Sequence, residues 1–314
     1  MRMKVKSKRK SNNGKFFTPQ VVLSGLFLII LFLCALFPGQ IAPCDPNATD
    51  FTASFCKFMS PGHWLGTDRI GRDILSRIIW GTQSSLLNAV MIVGIEILLG
   101  VPIGMFCGYF GGWLDDLVMR IWDIICAIPS LLLAFVLVAA LGKGTISGVI
   151  ALGIVYTPLT AKLARSLTLT EKTSVYVEAA KSMGYSNMRI MFRHILPNVI
   201  TTLITQFALD IGSAVTAMAS LSYLGLGTQA PDADWGTLLS DGMGLLNQNV
   251  ICLVAPAMVI LLTSISINLF CDGIQAYIDP SQRKMPTFKE YRKKQAKLAA
   301  KQKKLNNSTL VGAK

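Results

Sequence analysis

The side chains able to do chemistry are few and far apart. His63 and His194 are the two histidines in 314 residues. They fall in segments expected on opposite sides of a membrane, so they cannot share a metal or build a hydrolytic triad, and no metal site is expected. Of seven cysteines, Cys34, Cys107, Cys126, Cys252 and Cys271 lie in or beside apolar runs, where a small apolar role is the ordinary one. Cys44 and Cys56 share a loop and are a candidate disulfide in an oxidising compartment. No phosphate-cradling G-x-x-x-x-G-K-[ST] is present; Gly142-Lys143-Gly144-Thr145 lacks the spacing and reads as a tight turn. The residues therefore predict a chain that is not an enzyme and holds no cofactor. Three acids, Glu96, Asp123 and Asp210, sit within or near apolar segments. Charge at membrane depth is costly, so each must face protein or water. For Glu96 and Asp123 the preferred reading is a span-end position or a structural pair with Arg or Lys. Asp210, near mid-span, stays open between such a pair and a polar translocation path, and is the candidate pathway residue.

Hydrophobic residues make up 52% of the chain and charged residues 15%, against about 25% charged in a soluble domain. With a mean hydropathy of +0.51, a soluble enzyme is excluded. The formal charge of +13 raises nucleic acid as a partner, but its distribution excludes it. Seven basic residues lie before residue 20, eleven after residue 280 and six between Lys162 and Arg193. Long uncharged stretches separate these clusters, which is the layout of a membrane protein with basic cytoplasmic segments.

The first uncharged run, Phe16–Phe37, has 22 residues, enough for a span of about 20 and too long for a signal-peptide core. Five more spans are expected near 86–109, 117–141, 146–161, 199–221 and 250–270. Six spans put both basic termini and the 162–198 loop on one side, which the positive-inside rule makes cytoplasmic. The turn 110–116 belongs on that side too, although it carries Asp115 and Asp116. Residues 38–85 then form an extracytoplasmic loop. Within it Ile70, Ile74, Leu75 and Ile78 at helical spacing predict an amphipathic helix at the membrane surface. Trp64, Trp80, Trp113 and Trp235 are expected at interfaces. Gly100, Gly104, Gly108 and Gly112 recur every four residues and should line one helix face for close packing, with a hinge at Pro102 as the alternative.

The most informative segment runs from Tyr176 to Asn198. It begins as a short helix whose Ala179 and Ala180 offer a smooth face. Gly184 can end that helix in a left-handed conformation, and Pro197 suits the start of the next helix. A small-residue helix in such a loop makes a good knob for a partner's groove.

These residues resemble the cytoplasmic loop of ABC importer permeases, whose pattern is Glu-Ala-Ala, three residues, Gly, nine residues, Ile, one residue, Leu-Pro. Glu178, Ala179, Ala180, Gly184, Leu196 and Pro197 match it. His194 stands at the Ile position, a departure similar to the peptide-importer branch. His63 to Arg77, Ser220 to Gln229 with Asp234-Trp235-Gly236, and Asn268 to Gly273 with Asp279-Pro280 resemble further signatures of the dipeptide, oligopeptide and nickel permeases, in particular the second permease of the pair. The resemblance covers about residues 16–285.

The resemblance implies an all-α, six-span type I importer permease. Within that frame fall an anchor (16–37), an outer loop (38–85) and a five-helix core (86–280) containing the 162–198 coupling loop; the basic segments outside it are read from their charge, as a cytoplasmic tail (1–15) and a cytoplasmic, lipid-touching tail (281–314). The resemblance implies a multi-pass protein of a prokaryotic cell membrane. Its partners would be a second permease, two cytoplasmic ATPases that hold ATP and Mg, and an extracytoplasmic binding protein. Short peptides are the expected substrate, nickel or a metal chelate the family alternative, and an ion-gradient-driven secondary transporter the competitor from another class.

Overall fold

The computed structural model describes residues 18–278; both basic tails, 1–15 and 281–314, and the Asp279-Pro280 pair lie outside them. Residues 19–272 form one compact unit, to which the following refers. The elements are all helical: α1 (Pro19–Leu36), α2 (Pro38–Ile41), α3 (Ile74–Phe110), α4 (Gly112–Ala127), α5 (Ser130–Leu141), α6 (Thr145–Lys172), α7 (Val175–Ser182), α8 (Asn187–Ile190), α9 (Leu196–Tyr223), α10 (Trp235–Met243) and α11 (Ile251–Ile278). Five helices are long and apolar enough to cross a membrane, and α4 with α5 makes a sixth crossing when the bent pair is taken as one.

The central packing is α3 on α6, and the glycines explain it. A Cβ on Gly104 would stand 2.1 Å from the Ala161 carbonyl oxygen, and one on Gly108 2.7 Å from the Arg165 carbonyl oxygen. Gly100 faces Thr157 and Thr160 in the same way. Only hydrogen lets the two backbones come this close. The fourth glycine does not join them: Gly112 opens α4 and meets nothing within 4 Å. The helix runs unbroken through Pro102.

Ascending positions on α3 meet ascending positions on α6, so the two helices run parallel. The chain must therefore return between them, and α4–α5 makes that return. The span expected straight over 117–141 is instead bent by 96°. Pro129 is the cause: it has no N–H to donate and pushes Ile128 out of the helical region, to φ −88° and ψ 132°. Helix α9 runs antiparallel to α6, with the Met218 side chain against Gly148, and α11 antiparallel to α9, with Ile267 against Gly212.

No separate amphipathic helix forms before the second span. Residues 68–73 are not helical, with a turn at 69–70, and from Ile74 onward the helix is continuous with the span. Asp73 caps it, its carboxylate accepting from the Ser76 N–H at 2.8 Å. The apolar stripe read as membrane-facing is buried against protein: Ile74 and Ile78 pack with Leu238, Leu245 and Cys252. Trp235 is likewise no interface anchor. It is fully buried, and its indole N–H donates to the Ile78 carbonyl.

Candidate functional site

Two regions carry polar groups that the packing alone does not demand. The first is the loop after α6. Helix α7 ends in a Schellman cap: the Tyr185 N–H reaches the Ala180 carbonyl at 3.2 Å and the Gly184 N–H the Lys181 carbonyl at 2.9 Å. Gly184 has φ +80°, the left-handed conformation that its sequence position predicts. Glu178, Ala179 and Gly184 are exposed. Ala180 is not: at 1% exposure it packs inward beside Val177, so the smooth face is narrower than the sequence suggests.

The knob is tied back to the bundle by groups the motif does not mention. Tyr176 donates its hydroxyl to the Glu171 carboxylate at 2.5 Å, and burial followed by this bond raises its pKa. Tyr109, at the far end of α3, donates to Asn187 Oδ1 at 3.0 Å. The Tyr185 ring lies between Arg189 and the stacked imidazole of His194, the latter at 5.5 Å. After α8 the backbone widens into a π-helical turn over Met191–Ile195 before Leu196 and Pro197 begin α9. Leu196 is half-buried and Pro197 exposed.

Two ion pairs sit at this same end. Arg165 grips Asp115 with both arms, at 2.5 and 2.6 Å, and Lys162 meets Asp123 at 2.6 Å. Asp123 thus has the structural partner expected of it. The pairing also explains how a turn on the basic side tolerates Asp115.

The second region is a cavity of about 430 Å³ between α3, α6 and α9, lined by Glu96, Tyr156, Leu159, Thr160, Leu163, Gln206, Asp210 and Ser213. Glu96 is 1% exposed and was expected at a span end or in a pair with Arg or Lys. It meets the Thr160 hydroxyl, which donates to it, and shares the cavity lining with Asp210. Asp210 accepts from the Gln206 amide at 3.0 Å. Two acids thus meet at one polar hollow among apolar helices. Asp210 was legible as a candidate; Glu96 as its companion was not, because nothing local in the sequence brings α3 to α9.

Cys44 and Cys56 are free thiols. The Cys44 N–H is held by the Ser76 hydroxyl, and the Cys56 N–H by that of Thr67, so separate partners fix the two backbones. Two stretches distant in sequence, 56–78 and 235–249, pack together. Arg72 reaches Asp241 at 3.5 Å, and Asn249 donates to the Cys56 carbonyl at 3.1 Å.

Comparison with known proteins gives this architecture its family. Residues 100–284 match the family described as "Binding-protein-dependent transport system inner membrane component". The chain is 40% identical over 264 residues to the "Probable D,D-dipeptide transport system permease protein DdpC" of Escherichia coli (strain K12), covering 84% of this chain and 88% of that one. It is 37% identical over 260 residues to the glutathione transport system permease protein GsiD of Pectobacterium atrosepticum, covering 82% and 86%. Its fold is similar to a chain of the MetNI methionine ABC transporter in an inward-facing conformation. That match has a TM-score of 0.53 at 17% identity, covering 64% of this chain and 96% of that one. The chain belongs to the inner-membrane permeases of binding-protein-dependent ABC transporters, multi-pass subunits that leave ATP hydrolysis to separate subunits.

Proposed function

We propose that this permease imports di- or oligopeptides by alternating access, within a complex of a second permease, two cytoplasmic ATPases and an extracytoplasmic binding protein. Both termini and the 162–198 loop face the cytoplasm, as their basic residues favour. Glu178, Ala179, Ala180, Gly184, Leu196 and Pro197 form the lever that the ATPase moves. ATP and Mg act in the ATPase; this chain supplies the path and the lever. Closure of the ATPases pushes α7, and the push reaches α3 through Asn187 and Tyr109 and α9 through the π-helical turn, so that the bundle rocks between two packings. Asp210, with Glu96, lines the path. Two acids in a polar hollow would suit the protonated amine of a peptide.

The peptide assignment rests on relatives named for D,D-dipeptide and glutathione transport. The observation that carries the coupling role is the exposed Glu178–Ala179 face closed by Gly184 at φ +80°. The test is competition uptake in cells that depend on this importer. Labelled dipeptide should accumulate and be displaced by unlabelled di- and tripeptides. Accumulation of nickel in place of peptide would assign the substrate to the metal branch and leave the coupling role standing.

A further inference from the structure

Cys44, His63 and Asp73 come from three separate segments: the loop after α2, a turn closed by the Ser60–His63 bridge, and the cap of α3. One donor atom from each, a thiol sulfur, a ring nitrogen and a carboxylate oxygen, lies within 4.8 Å of the other two. We infer that these three residues form a binding site for a divalent cation of the zinc class on the outer loop.

The site is held in shape without the ion. Asp73 Oδ2 accepts from the Ser76 N–H at 2.8 Å and from its hydroxyl at 2.7 Å. The same Ser76 oxygen accepts the Cys44 N–H at 3.0 Å. Asp73 Oδ1 meets His63 Nδ1 at 3.0 Å. A single serine thus fixes the backbone of one ligand and the carboxylate of another. Helix capping accounts for Asp73 and Ser76, and a hydrogen-bond contact with Asp73 for His63, but neither calls for a cysteine on the third side.

The donor set selects the ion. Sulfur with imidazole and carboxylate suits zinc and disfavours magnesium and calcium, which take oxygen. Zinc bonds of about 2.0–2.3 Å place tetrahedral donors somewhat under 4 Å apart, so the three donors must draw together from separations of up to 4.8 Å to hold the ion. Binding takes the thiolate, and the thiol proton leaves to water. Three protein ligands leave the fourth position open. Cys44 also lines a cavity of about 730 Å³ with Trp80, Gln83 and Asp232, which supplies an entry route and room for a water or other fourth ligand. A bound ion would fasten residues 44 and 63 to the start of α3.

The test uses the assembled complex, purified through a tag without histidine and titrated with cobalt(II) as a spectroscopic stand-in for zinc. A thiolate-to-cobalt charge-transfer band should grow to one cobalt for each copy of this chain and vanish on adding zinc. Cys44→Ala and His63→Ala should weaken cobalt binding at this site more than tenfold, and Cys56→Ala should leave it unchanged. In the unaltered complex, zinc should slow alkylation of Cys44, read by mass spectrometry, and leave that of Cys56 as it was. Absence of the band, its survival in Cys44→Ala, its equal loss in Cys56→Ala, or unprotected Cys44 would each overturn the site. The alkylation measurement stands even if a variant fails to fold.

Discussion

The Tyr109 hydroxyl, one residue from the end of α3, donates a hydrogen bond to Asn187 Oδ1 at the start of α8. The Lys172 and Lys181 ammonium groups lie 5.6 and 5.8 Å from the centre of the same ring. One buried phenol therefore joins the longest helix of the bundle to the end of α6 and to both sides of the loop that follows it. If that loop is the lever, Tyr109 is where its force enters α3. Tyr109→Phe keeps the ring and removes the bond, a loss of about 1 kcal/mol. Uptake should fall roughly fivefold while the complex assembles normally. Unchanged uptake would show that force travels another way.

Gly184 tests the lever itself. At φ +80° a β-branched residue is strained by about 1–2 kcal/mol, and its side chain would enlarge the exposed knob. Gly184→Val should abolish uptake with membrane abundance preserved. Gly184→Asn, which tolerates the left-handed region, should retain a measurable part. Normal uptake by the valine variant at normal abundance counts against coupling.

Gly104 tests the parallel α3–α6 contact. A leucine there must displace the Ala161 backbone, whose carbonyl oxygen lies 2.1 Å from the added Cβ position. Overpacking of this kind costs at least about 1–3 kcal/mol. Gly104→Leu should lower the thermal midpoint of the solubilised protein or its membrane abundance. Gly94→Ala on the same helix, with open space around it, should change neither by a comparable amount.

The Asp115–Arg165 pair should behave as a unit. Asp115 is 5% exposed and Arg165 is its bidentate partner. Removing the arginine leaves a nearly buried carboxylate alone, at a cost of about 2 kcal/mol with the partly exposed partner allowed for. Arg165→Met should be destabilising, and Asp115→Asn with Arg165→Met should recover much of the loss in a thermal unfolding comparison. Equal destabilisation in single and double variants would mean that the pair contributes little.

The Glu96–Asp210 cavity should matter for transport and not for assembly. Asp210→Asn and Glu96→Gln keep shape and remove charge. Each should cut peptide uptake more than tenfold, with the ATPase still co-purifying. Full uptake by both variants would take these acids out of the path.

Much of this was legible because the membrane simplifies the code. Uncharged runs near 20 residues locate spans. Gly184 announced its conformation because few residues other than glycine adopt φ +80° at a helix end. The remainder needed tertiary contacts. The third span reads as one run over 117–141, because its apolar composition does not register the 96° bend at Pro129. The stripe Ile74–Ile78 has the same periodicity whether it faces lipid or protein, and the partner that decides it, Leu238 and Cys252, lies far along the chain. Trp235 was misjudged for the same reason. The meeting of Glu96 with Asp210, and of Cys44 with His63 and Asp73, rests on chain crossings that no local pattern encodes.

The most direct test of the central claim is purification of this chain from native membranes through a single tag, with the co-purifying proteins identified and ATP hydrolysis measured. Two ATPase copies and a second permease should be recovered in a complex that hydrolyses ATP. A cysteine placed at the exposed Ala179 should cross-link to the ATPase. Recovery of the intact, folded chain with no ATPase and no cross-link would contradict the account and return the secondary-transporter reading to the front.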